Sequence, residues 1–330
     1  MDKKVRRIGI LTSGGDAPGM NAVIRSVVRT AASKGIECVG IRRGYTGLIT
    51  GDIIRLDADS VSRIINKGGT MLYTARSDEF MNEAGQQKAA ATCKQFGLDG
   101  IVAVGGDGTF RGLYALSKHG ISVVGIPATI DNDISCTDYC IGYDTAANTA
   151  VEAIDRLRDT MQSHERCSVV EVMGHRAGHL ALYVGLATSA TAVLVPEKEL
   201  DFENDIVENI IKARLGGKTH FMIIVAEGAG SALEIGDRVR EELTLDTRVT
   251  ILGHIQRGGS PSARDRVTAA SMGYEAVKAL CDGKTNRVIR SVSGKFEDID
   301  IIEALNMKKG LDEEQYEVLE AMTGIHHQSQ

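Results

Sequence analysis

Short apolar runs rich in β-branched residues recur along the chain, and longer segments of helical character separate them. The runs predict eight strands, over residues 7–11, 37–41, 100–104, 122–126, 168–172, 192–195, 221–226 and 248–252. The separating segments predict helices over residues 18–33, 142–163 and 263–281, the first with Pro18 in its first turn. Strands that alternate with helices indicate an α/β protein whose mainly parallel sheets are covered on both faces.

The length and composition allow two such layered domains. A chain of 330 residues, 43% of them hydrophobic, can bury two sizeable cores. The 37 glycines and 4 prolines suit many strand-to-helix turns and uninterrupted helices. No proline- or serine-rich linker marks a boundary, so we expect the chain to cross between domains more than once.

The net charge and the cysteines narrow the class of partner and the location. A formal net charge of −6 disfavours nucleic acid or a membrane as the main partner, and 4% aromatic residues offer few platforms for stacked bases. No apolar run of 18 residues occurs, and residues 1–4 lead into the first predicted strand rather than a signal peptide. The six cysteines lack metal-ligand spacing and indicate free thiols in a reducing cytoplasm: Cys38, Cys93, Cys136, Cys140, Cys167 and Cys281.

A glycine-rich loop follows the first predicted strand. In Ser13-Gly14-Gly15-Asp16-Ala17-Pro18-Gly19, the glycines let backbone N–H groups approach phosphate oxygens near a helix N-terminus. Asp16 stands at the second glycine of a GxGxxG fingerprint, which argues against a dinucleotide site and a nicotinamide-dependent dehydrogenase. Gly217-Lys218-Thr219 and Gly283-Lys284-Thr285 lack the upstream glycine of a P-loop, so ordinary surface turns are the better interpretation.

Two acidic turns follow two other predicted strands. They are Gly105-Gly106-Asp107-Gly108-Thr109 and Thr129-Ile130-Asp131-Asn132-Asp133, at the strand ends where open parallel sheets bind ligands. Asp107 would then reach a Mg²⁺ ion that bridges nucleotide phosphates. The alternative is a plain turn with a capping aspartate at 107 and turn-forming acids at 131 and 133. Crowded carboxylates weaken that alternative, because like charges cost stability without a cation nearby.

Six motifs in a fixed order extend this interpretation over nearly the whole chain. They are GGDAPGMNA (14–22), GGDGT (105–109), PATIDND (127–133), VEAIDRLRDT (151–160), VVEVMG (169–174) and LGHIQRGGSP (252–261). GGDGT alone is weak evidence, since other kinases use similar strings, but the ordered set is specific. The chain thereby resembles the bacterial ATP-dependent 6-phosphofructokinases.

The resemblance implies an architecture. It predicts two Rossmann-like three-layer α/β/α domains with mainly parallel sheets and an active-site cleft between them. The ATP-binding domain would comprise residues 1–141 plus 255–305, and the sugar-phosphate-binding domain residues 142–254 plus 306–330. The family forms homotetramers whose subunits share active sites.

The resemblance also implies the reaction and the residues of its site. ATP would phosphorylate the 1-hydroxyl of fructose 6-phosphate with Mg²⁺ as cofactor, the committed step of glycolysis. Asp131 would be the general base, Thr129 and Arg76 would assist catalysis, and Asp107 and Asp133 would be the metal-binding residues. ATP would contact Gly15, Arg76, Ser77, Gly106, Asp107, Gly108 and Thr109. The sugar phosphate would contact Thr129, Ile130, Asp131, Met173, Gly174, His175, Glu227, His254 and Arg257, together with Arg166 and Arg248 from a neighbouring subunit.

Two positions indicate the phosphoryl donor. In related pyrophosphate-dependent enzymes, aspartate occupies the position of Gly108 and lysine that of Ala128. An aspartate would repel the α-phosphate of a nucleotide, and a lysine would replace that interaction for a short diphosphate. The two small neutral residues in this chain favour ATP.

The chain departs from the family pattern at the sugar-phosphate site and at the allosteric site. His175 stands where the family has arginine, which predicts weaker active-site charge and lower turnover. Arg25, Arg29, Arg158 and Lys218 match effector-phosphate positions. Ala58, Arg63, Thr191 and Gly216 replace usual effector-site residues, among them an arginine and a Mg²⁺-binding glutamate, which predicts blunted regulation by ADP and phosphoenolpyruvate.

Two alternatives remain beside the ATP-dependent enzyme. One is a kinase that uses pyrophosphate or acts on a related sugar phosphate such as tagatose 6-phosphate. The other is a catalytically weak paralogue that senses a sugar phosphate or nucleotide and regulates a partner.

Overall fold

The computed structural model describes residues 5–323 as alternating strands and helices, and the start and end of the chain lie outside this range. The strands are β1 (Arg7–Thr12), β2 (Glu37–Ile41), β3 (Ile53–Leu56), β4 (Gly100–Gly105), β5 (Val123–Thr129), β6 (Ile141–Gly142), β7 (Cys167–Val172), β8 (Ala192–Leu194), β9 (Phe221–Ala226), β10 (Thr247–Ile251), β11 (Arg287–Val292) and β12 (Lys295–Asp300). The helices are α1 (Met20–Ser33), α2 (Gly44–Thr50), α3 (Glu83–Gln95), α4 (Asp107–Ser117), α5 (Tyr143–Ser163), α6 (His179–Ala187), α7 (Glu208–Leu215), α8 (Ala232–Leu243), α9 (Ala263–Cys281), α10 (Ile301–Asn306) and α11 (Glu313–Thr323).

The chain divides into two compact units, and it crosses between them several times. Unit 1 comprises residues up to Ile130, Ile134–Thr145 and Arg257–Lys309. Unit 2 comprises Asp131–Asp133, Ala146–Gln256 and the residues from Gly310 onward. The domain bounds expected from the sequence, and the ligand assigned to each domain, stay predictions.

Unit 1 is built on a sheet of order β12-β11-β5-β4-β1-β2-β3, with β6 paired to the end of β5. The neighbours β5, β4, β1 and β2 run parallel, whereas β3 and β12 are antiparallel to β2 and β11 at the two edges. Every residue of β4 is buried, because helices cover both faces of a parallel sheet. The mainly parallel α/β class predicted from the sequence is confirmed, with antiparallel strands added at both edges.

Unit 2 contains a smaller sheet of order β10-β7-β9-β8, in which all neighbouring strands are parallel. Its buried core includes Val169, Phe221, Ile223 and Val225 from the central strands, packed against residues of α7 and α8. β9 is buried throughout, which explains why its sequence is continuously apolar rather than alternating.

The first helix begins later than the sequence predicts. Pro18 lies in a turn, and α1 starts at Met20 after Gly19, whose backbone is left-handed with φ 106°. A Cβ atom at Gly19 would lie 2.5 Å from the Ile141 side chain. The tight turn forced by this packing, rather than the proline, decides where the helix begins.

No helix within residues 5–323 is long and apolar enough to cross a membrane. All six cysteines are free thiols, as predicted, and five of them are buried. Burial is the main reason that the pKa of Cys136 rises to about 11, and the nearby charge of Asp107 adds to it.

A buried aspartate that the sequence analysis missed organises the start of α5. Asp265 on α9 is fully buried, and its carboxylate accepts hydrogen bonds from Tyr139 Oη (2.5 Å), Gly142 N (2.8 Å) and Thr145 N (2.9 Å). The Thr145 hydroxyl donates to it as well. Burial raises the pKa of the Asp265 carboxyl, and these hydrogen bonds oppose the rise.

We predict that Asp265→Ala lowers the free energy of unfolding by roughly 3–5 kcal/mol, because several buried donors lose their acceptor. Urea denaturation followed by circular dichroism measures the change. Asp300→Ala is the matched control: Asp300 caps α10 through Ile302 N and Glu303 N, and it is partly exposed. Its loss is expected to cost about 1 kcal/mol. Equal effects of the two substitutions would contradict the special role of Asp265.

Candidate active site

The candidate nucleotide site lies where the strand order of unit 1 changes direction. β1 pairs with β2 on one side and with β4 on the other, and Thr12 lies opposite Val104. The loops that leave the carboxyl ends of β1 and β4 therefore start side by side. This is the position at which open α/β sheets bind their ligands.

Direct hydrogen bonds join the loops that leave β1 and β4. Ser13 N donates to Val104 O at 3.0 Å, and Thr109 Oγ1 donates to Ser13 O at 3.1 Å. Thr74 Oγ1 donates to Gly14 O at 2.6 Å from a third segment. The predicted phosphate loop is therefore fixed along its first residues, while Gly14 and Gly15 remain exposed.

Glycines in the second loop have two separate roles. Gly105 permits close approach, since a Cβ atom there would lie 2.3 Å from both Ser13 O and Thr109 Oγ1. Gly106 is the N-cap of α4, and no side chain caps this helix end. Cβ atoms at Gly106 and Gly108 would meet nothing within 4 Å, so there is open space beside this uncapped helix N-terminus, and such a terminus suits an anion.

Three further residues predicted to bind ATP or Mg²⁺ are near these loops. Asp107 belongs to the second loop, and Arg76 and Ser77 follow Thr74, whose hydroxyl bonds the first loop. Asp107 lies in the first turn of α4 and is partly exposed. Arg76 is exposed, and its carbonyl oxygen accepts a hydrogen bond from Thr46 Oγ1 at 3.4 Å. Ser77 Oγ accepts one from Phe80 N at 3.4 Å. Within residues 5–323, no three acidic, histidine or cysteine side chains cluster as a metal site. A Mg²⁺ ion would here need phosphate oxygens beside Asp107, which is how this ion usually binds.

The acidic turn continues β5. Gly142 of β6 lies opposite Thr129, and Ile130 is fully buried. Asp131 is only 7% exposed, which sets it apart from a solvated turn acid. Asn132 has a left-handed backbone with φ 51°, so the turn reverses directly after Asp131, and Asp133 is half-buried.

Unit 2 has its own change of strand order at β7, which lies between β9 and β10. Glu227 follows β9, and its Oε1 accepts hydrogen bonds from Gly174 N (3.2 Å) and His175 N (2.7 Å) after β7. Met173 N donates to Gln256 Oε1 at 3.4 Å. The predicted sugar-phosphate residues Met173, Gly174, His175 and Glu227 are thus brought together at the carboxyl edge of this sheet.

His175 is exposed and has a left-handed backbone with φ 56°. The bond from its N–H to Glu227 holds this conformation, so the side chain is presented from a turn with a defined geometry. Arg176 is exposed as well. The effect of histidine in place of arginine on turnover stays a prediction.

Two predicted arginines lie at the opposite edge of the same sheet. Arg166 directly precedes β7, and Arg248 is the second residue of β10. Asp246 joins them: its carboxylate accepts Arg166 Nε at 2.5 Å and pairs with Arg248 Nη1 at 3.1 Å. The hydrogen bond from Arg166 is the main cause of the lowered pKa of Asp246. A strand of six residues, roughly 20 Å long, separates these arginines from Met173.

The remaining predicted substrate residues lie after β10. His254 is exposed in a short 3₁₀ turn, Gly253–Arg257. The side chain of Arg257 points to the phosphate loop, because its Nη1 donates to Asp16 O at 3.3 Å. A Cβ atom at Gly15 would lie 2.7 Å from that nitrogen. Arg257 therefore lies beside the predicted phosphate loop of unit 1.

The predicted effector residues are split between the two units. Arg25 and Arg29 lie on α1, whereas Arg158 on α5 donates to Thr188 O. Thr191 is buried and its Oγ1 accepts a hydrogen bond from Met222 N at 3.1 Å. Lys218 lines a cavity of about 180 Å³ with Ser189, Ala190, Leu319 and Met322.

The geometry adds Gln256 and Asp246, which the sequence analysis missed. Gln256 is fully buried and bonds both Met173 N and Gly253 O (3.1 Å), so it links the loops after β7 and β10. Gln256 lies inside the quoted motif LGHIQRGGSP, which was the available signal. Asp246 had no comparable signal, because its role depends on the pairing of β7 with β10.

Comparison with known proteins identifies the family of the chain. A sequence profile of the family described as "Phosphofructokinase" matches residues 7–280. The chain belongs to the phosphofructokinase family. The resemblance predicted from the six motifs is confirmed.

Individual relatives match along nearly the whole chain. The ATP-dependent 6-phosphofructokinase of Clostridium botulinum (strain Hall) is 52% identical over 314 residues, which is 95% of this chain and 98% of the relative. The structure of phosphofructokinase from Saccharomyces cerevisiae matches 97% of this chain with a TM-score of 0.85 and 33% identity. This chain spans 47% of the yeast chain. A pyrophosphate-dependent phosphofructokinase from Marinobacter aquaeolei has a TM-score of 0.84 over 97% of this chain and 92% of its own, but 20% identity, which supports the fold alone.

We predict that Gly105→Ala disturbs the joined loops, because its Cβ atom would collide with Ser13 O and Thr109 Oγ1. The expected cost is about 2 kcal/mol of unfolding free energy, in the range of overpacking, with weaker binding of MgATP. Gly108→Ala is the control for stability, since its Cβ atom meets nothing within 4 Å. Urea denaturation and calorimetric titration measure both effects, and equal stability of the two variants would contradict the prediction.

Proposed function

We propose that the protein transfers the γ-phosphoryl group of ATP to the 1-hydroxyl of fructose 6-phosphate, forming fructose 1,6-bisphosphate and ADP. The family membership and the full-length similarity to ATP-dependent 6-phosphofructokinases support this reaction. The observation that carries the proposal is the pair of joined glycine loops at the strand-order change of unit 1, with Asp107 at an open helix N-terminus. We place the reaction in the cytoplasm, which stays a prediction.

ATP would bind with its phosphates along the loops after β1 and β4. The exposed N–H groups near Gly15 and those of Gly106 and Gly108 can donate to phosphate oxygens. Mg²⁺ would be held by Asp107 and by Asp133, the last residue of the acidic turn, and it would neutralise phosphate charge when bound. Arg76 would add a second positive charge on the transferred group. Ser77 and Thr109 complete the proposed contacts.

Asp131 would act as the general base. Its carboxylate takes the proton of the 1-hydroxyl as that oxygen forms a bond to the γ-phosphorus, while the bond to the leaving oxygen of ADP breaks. The burial of Asp131 suits this role, because it limits competing water. Thr129, two residues earlier at the end of β5, would position the substrate. Phosphoryl transfer depends mainly on such positioning and on charge neutralisation.

The sugar phosphate would bind at the carboxyl edge of the sheet in unit 2. Glu227 already accepts the N–H groups of Gly174 and His175 through Oε1, so Oε2 is available to a sugar hydroxyl. Met173 and His254 would supply further contacts. The backbone of Ile130, next to Asp131, would contact the substrate as well. Arg257 would contact a phosphate from beside Gly15.

Arg166 and Arg248 would serve the active site of a neighbouring subunit. They lie at the amino edge of the sheet, roughly 20 Å from Met173 along β7, so one sugar phosphate could not contact both edges. Only a second copy of the chain would bring the arginines to a bound 6-phosphate. This separation supports the homotetramer with shared sites that the family resemblance implies.

Regulation would be weaker than in typical members of the family. Thr191 is buried and its hydroxyl accepts a hydrogen bond from Met222 N, and a neutral hydroxyl lacks the negative charge with which a carboxylate holds Mg²⁺. Arg25, Arg29, Arg158 and Lys218 still offer positive charge. Responses to ADP and phosphoenolpyruvate are therefore expected to be blunted.

The choice of donor separates the proposed enzyme from its nearest alternative. Gly108 is exposed and a side chain there would face open space, where an aspartate would meet a nucleotide phosphate. Ala128 is buried in β5. A coupled assay for fructose 1,6-bisphosphate, run with ATP and with pyrophosphate separately, tests the proposal. Turnover with ATP supports it. Turnover with pyrophosphate but not with ATP, or no turnover with either donor, overturns it.

We predict that Asp131→Asn lowers kcat by roughly 10²–10⁴-fold, the usual loss on removing a general base. The affinity for ATP is expected to stay near the wild-type value, because Asp131 acts on the acceptor. Steady-state kinetics and calorimetry measure the two quantities. Asp138→Asn is the control, since Asp138 is exposed, its carboxylate accepts a hydrogen bond from Ser293 N at 2.7 Å, and it is not among the proposed catalytic residues. Near-normal turnover of Asp131→Asn would rule out the assignment.

We predict that Arg248→Ala raises the KM for fructose 6-phosphate by roughly ten- to one-hundred-fold, as expected for a lost charged hydrogen bond to phosphate. The KM for ATP should not change. Arg156→Ala, which removes only an exposed pair with Glu152, is the control and should have little effect. Co-expression of Arg248→Ala with Asp131→Asn chains should recover part of the activity, since mixed oligomers contain intact shared sites. Failure to recover would argue that both residues act within one subunit.

A further inference from the structure

A buried strand-to-helix junction in unit 1 lies against two segments of the candidate active site. The junction comprises β6 and the first turn of α5, residues 141–145. Gly142, the last residue of β6, lies opposite Thr129 at the end of β5. It also meets the phosphate loop, since a Cβ atom at Gly142 would lie 2.7 Å from the Cβ atom of Ala17. The junction therefore spaces the strand that leads to Asp131 from the loop on which the nucleotide phosphates are proposed to bind.

The carboxylate of Asp265 on α9 holds this junction at two points. Its Oδ1 accepts the N–H of Gly142 at 2.8 Å, and its Oδ2 accepts the N–H of Thr145 at 2.9 Å together with the Thr145 hydroxyl. The hydroxyl of Tyr139, from the segment before β6, donates to Oδ1 at 2.5 Å. One side chain thus fixes two backbone N–H groups of the junction. A side-chain amide could not do so, because it has only one acceptor oxygen.

A third segment of the candidate site is tied to the same junction. Thr145 Oγ1 accepts the N–H of Ser262 at 2.9 Å, and Ser262 Oγ caps α9 by accepting Asp265 N at 3.2 Å. Ser262 directly follows the motif LGHIQRGGSP, which contains His254 and Arg257. The first turns of α5 and α9 are therefore joined, and the loop with these two predicted substrate residues ends at that joint.

The cluster around Asp265 is shielded from water. Asp265 is fully buried, and Tyr139, Gly142 and Thr145 are buried as well. The exposed Arg264 covers the Tyr139 ring, with its guanidinium carbon 4.2 Å from the ring centre. Burying a carboxylate costs free energy, and apolar packing could stabilise a junction equally well. What the carboxylate adds is direction, because a fully bonded buried polar group specifies one arrangement of its partners.

We propose that Asp265 is a positioning residue of the phosphoryl-transfer site. It sets the position of the end of β5, and so of the base Asp131 two residues later, relative to the phosphate loop. Being fully buried, it contacts neither substrate and acts through Gly142 and Thr145. This inference rests on the proposed function, because it concerns the alignment of the acceptor and the donor named there.

Asp265→Asn is the variant for the test, because Asp265→Ala removes every acceptor and is expected to lose too much stability for kinetics. The asparagine amide keeps one acceptor oxygen. In either orientation its NH₂ group faces the N–H of Gly142 or of Thr145, so the junction loses one of its two anchors. Misplacing a reacting group by about 1 Å costs about 10²-fold in rate, so kcat should fall by roughly ten- to one-hundred-fold. The Kd for MgATP and the KM for fructose 6-phosphate should stay near the wild-type values, because the binding residues are retained.

Two controls separate positioning from a loss of stability. Val277→Ala removes buried apolar atoms further along α9 and should lower the free energy of unfolding without changing kcat. Tyr139→Phe removes one donor but leaves the bonds of Asp265 to Gly142 and Thr145, so its kcat should stay near the wild-type value. Urea denaturation establishes that each variant is folded under the assay conditions.

A double-mutant cycle with Asp131→Asn gives a readout that a merely structural role would not move. Where Asp265 aligns Asp131, Asp265→Asn should reduce kcat little further in the Asp131→Asn chain, because the aligned base is already absent. Multiplication of the two losses would overturn the proposal in favour of a general structural role. A wild-type chain that forms no fructose 1,6-bisphosphate with ATP refutes the proposed function and this inference with it. Wild-type turnover that Asp265→Asn retains in full refutes the positioning role alone.

Discussion

The close approach of two strand ends in unit 1 is the constraint on which the candidate nucleotide site depends. β1 and β4 are parallel neighbours, and the residues that follow them touch through Ser13, Val104 and Thr109. Such contact leaves no room for a side chain at position 105, where a Cβ atom would lie 2.3 Å from two oxygens. Because side chains are excluded, backbone N–H groups and a helix N-terminus line this edge, and these groups suit phosphate. The position of Asp107 follows from the same joined strand ends.

In unit 2, hydrogen bonds also join loops at the carboxyl edge of a sheet, and two arginines lie at its amino edge. At the carboxyl edge, Glu227 accepts a hydrogen bond from the loop after β7, and Gln256 links that loop to the loop after β10. These bonds gather several polar groups at one edge of the sheet. At the amino edge, Asp246 holds Arg166 and Arg248 side by side and prevents mutual repulsion of their charges. A strand of six residues separates the edges, so the two groups of residues proposed to bind one sugar phosphate lie at opposite ends of β7. An assembly that closes on itself would unite such groups, which is the physical reason for a shared site in a symmetric oligomer.

The interior of the fold and most candidate site residues could be predicted from the sequence, because their signals are local. β2, β9 and α9 begin and end where the apolar pattern predicts, and the two acidic turns follow β4 and β5. The antiparallel edge strands β3 and β12 were not predicted, since short edge strands lack a continuous apolar run. Asp265 was also missed. Its sequence context is an ordinary helix start, and only its three-dimensional neighbours show that it is a fully buried acceptor.

By itself, the sequence determined the α/β class, the glycine and acidic turns and the family, because periodicity, glycine and short motifs act within a few residues. Tertiary structure alone decided which of those residues meet. It placed Arg257 beside the phosphate loop and Arg166 and Arg248 at the opposite end of β7 from Met173. It also brought Arg43 and Tyr73 together with left-handed backbones. These outcomes depend on strand order and register, which arise from contacts between residues tens to hundreds of positions apart. No local pattern in a chain encodes such contacts, so they become visible only when the sheets are assembled.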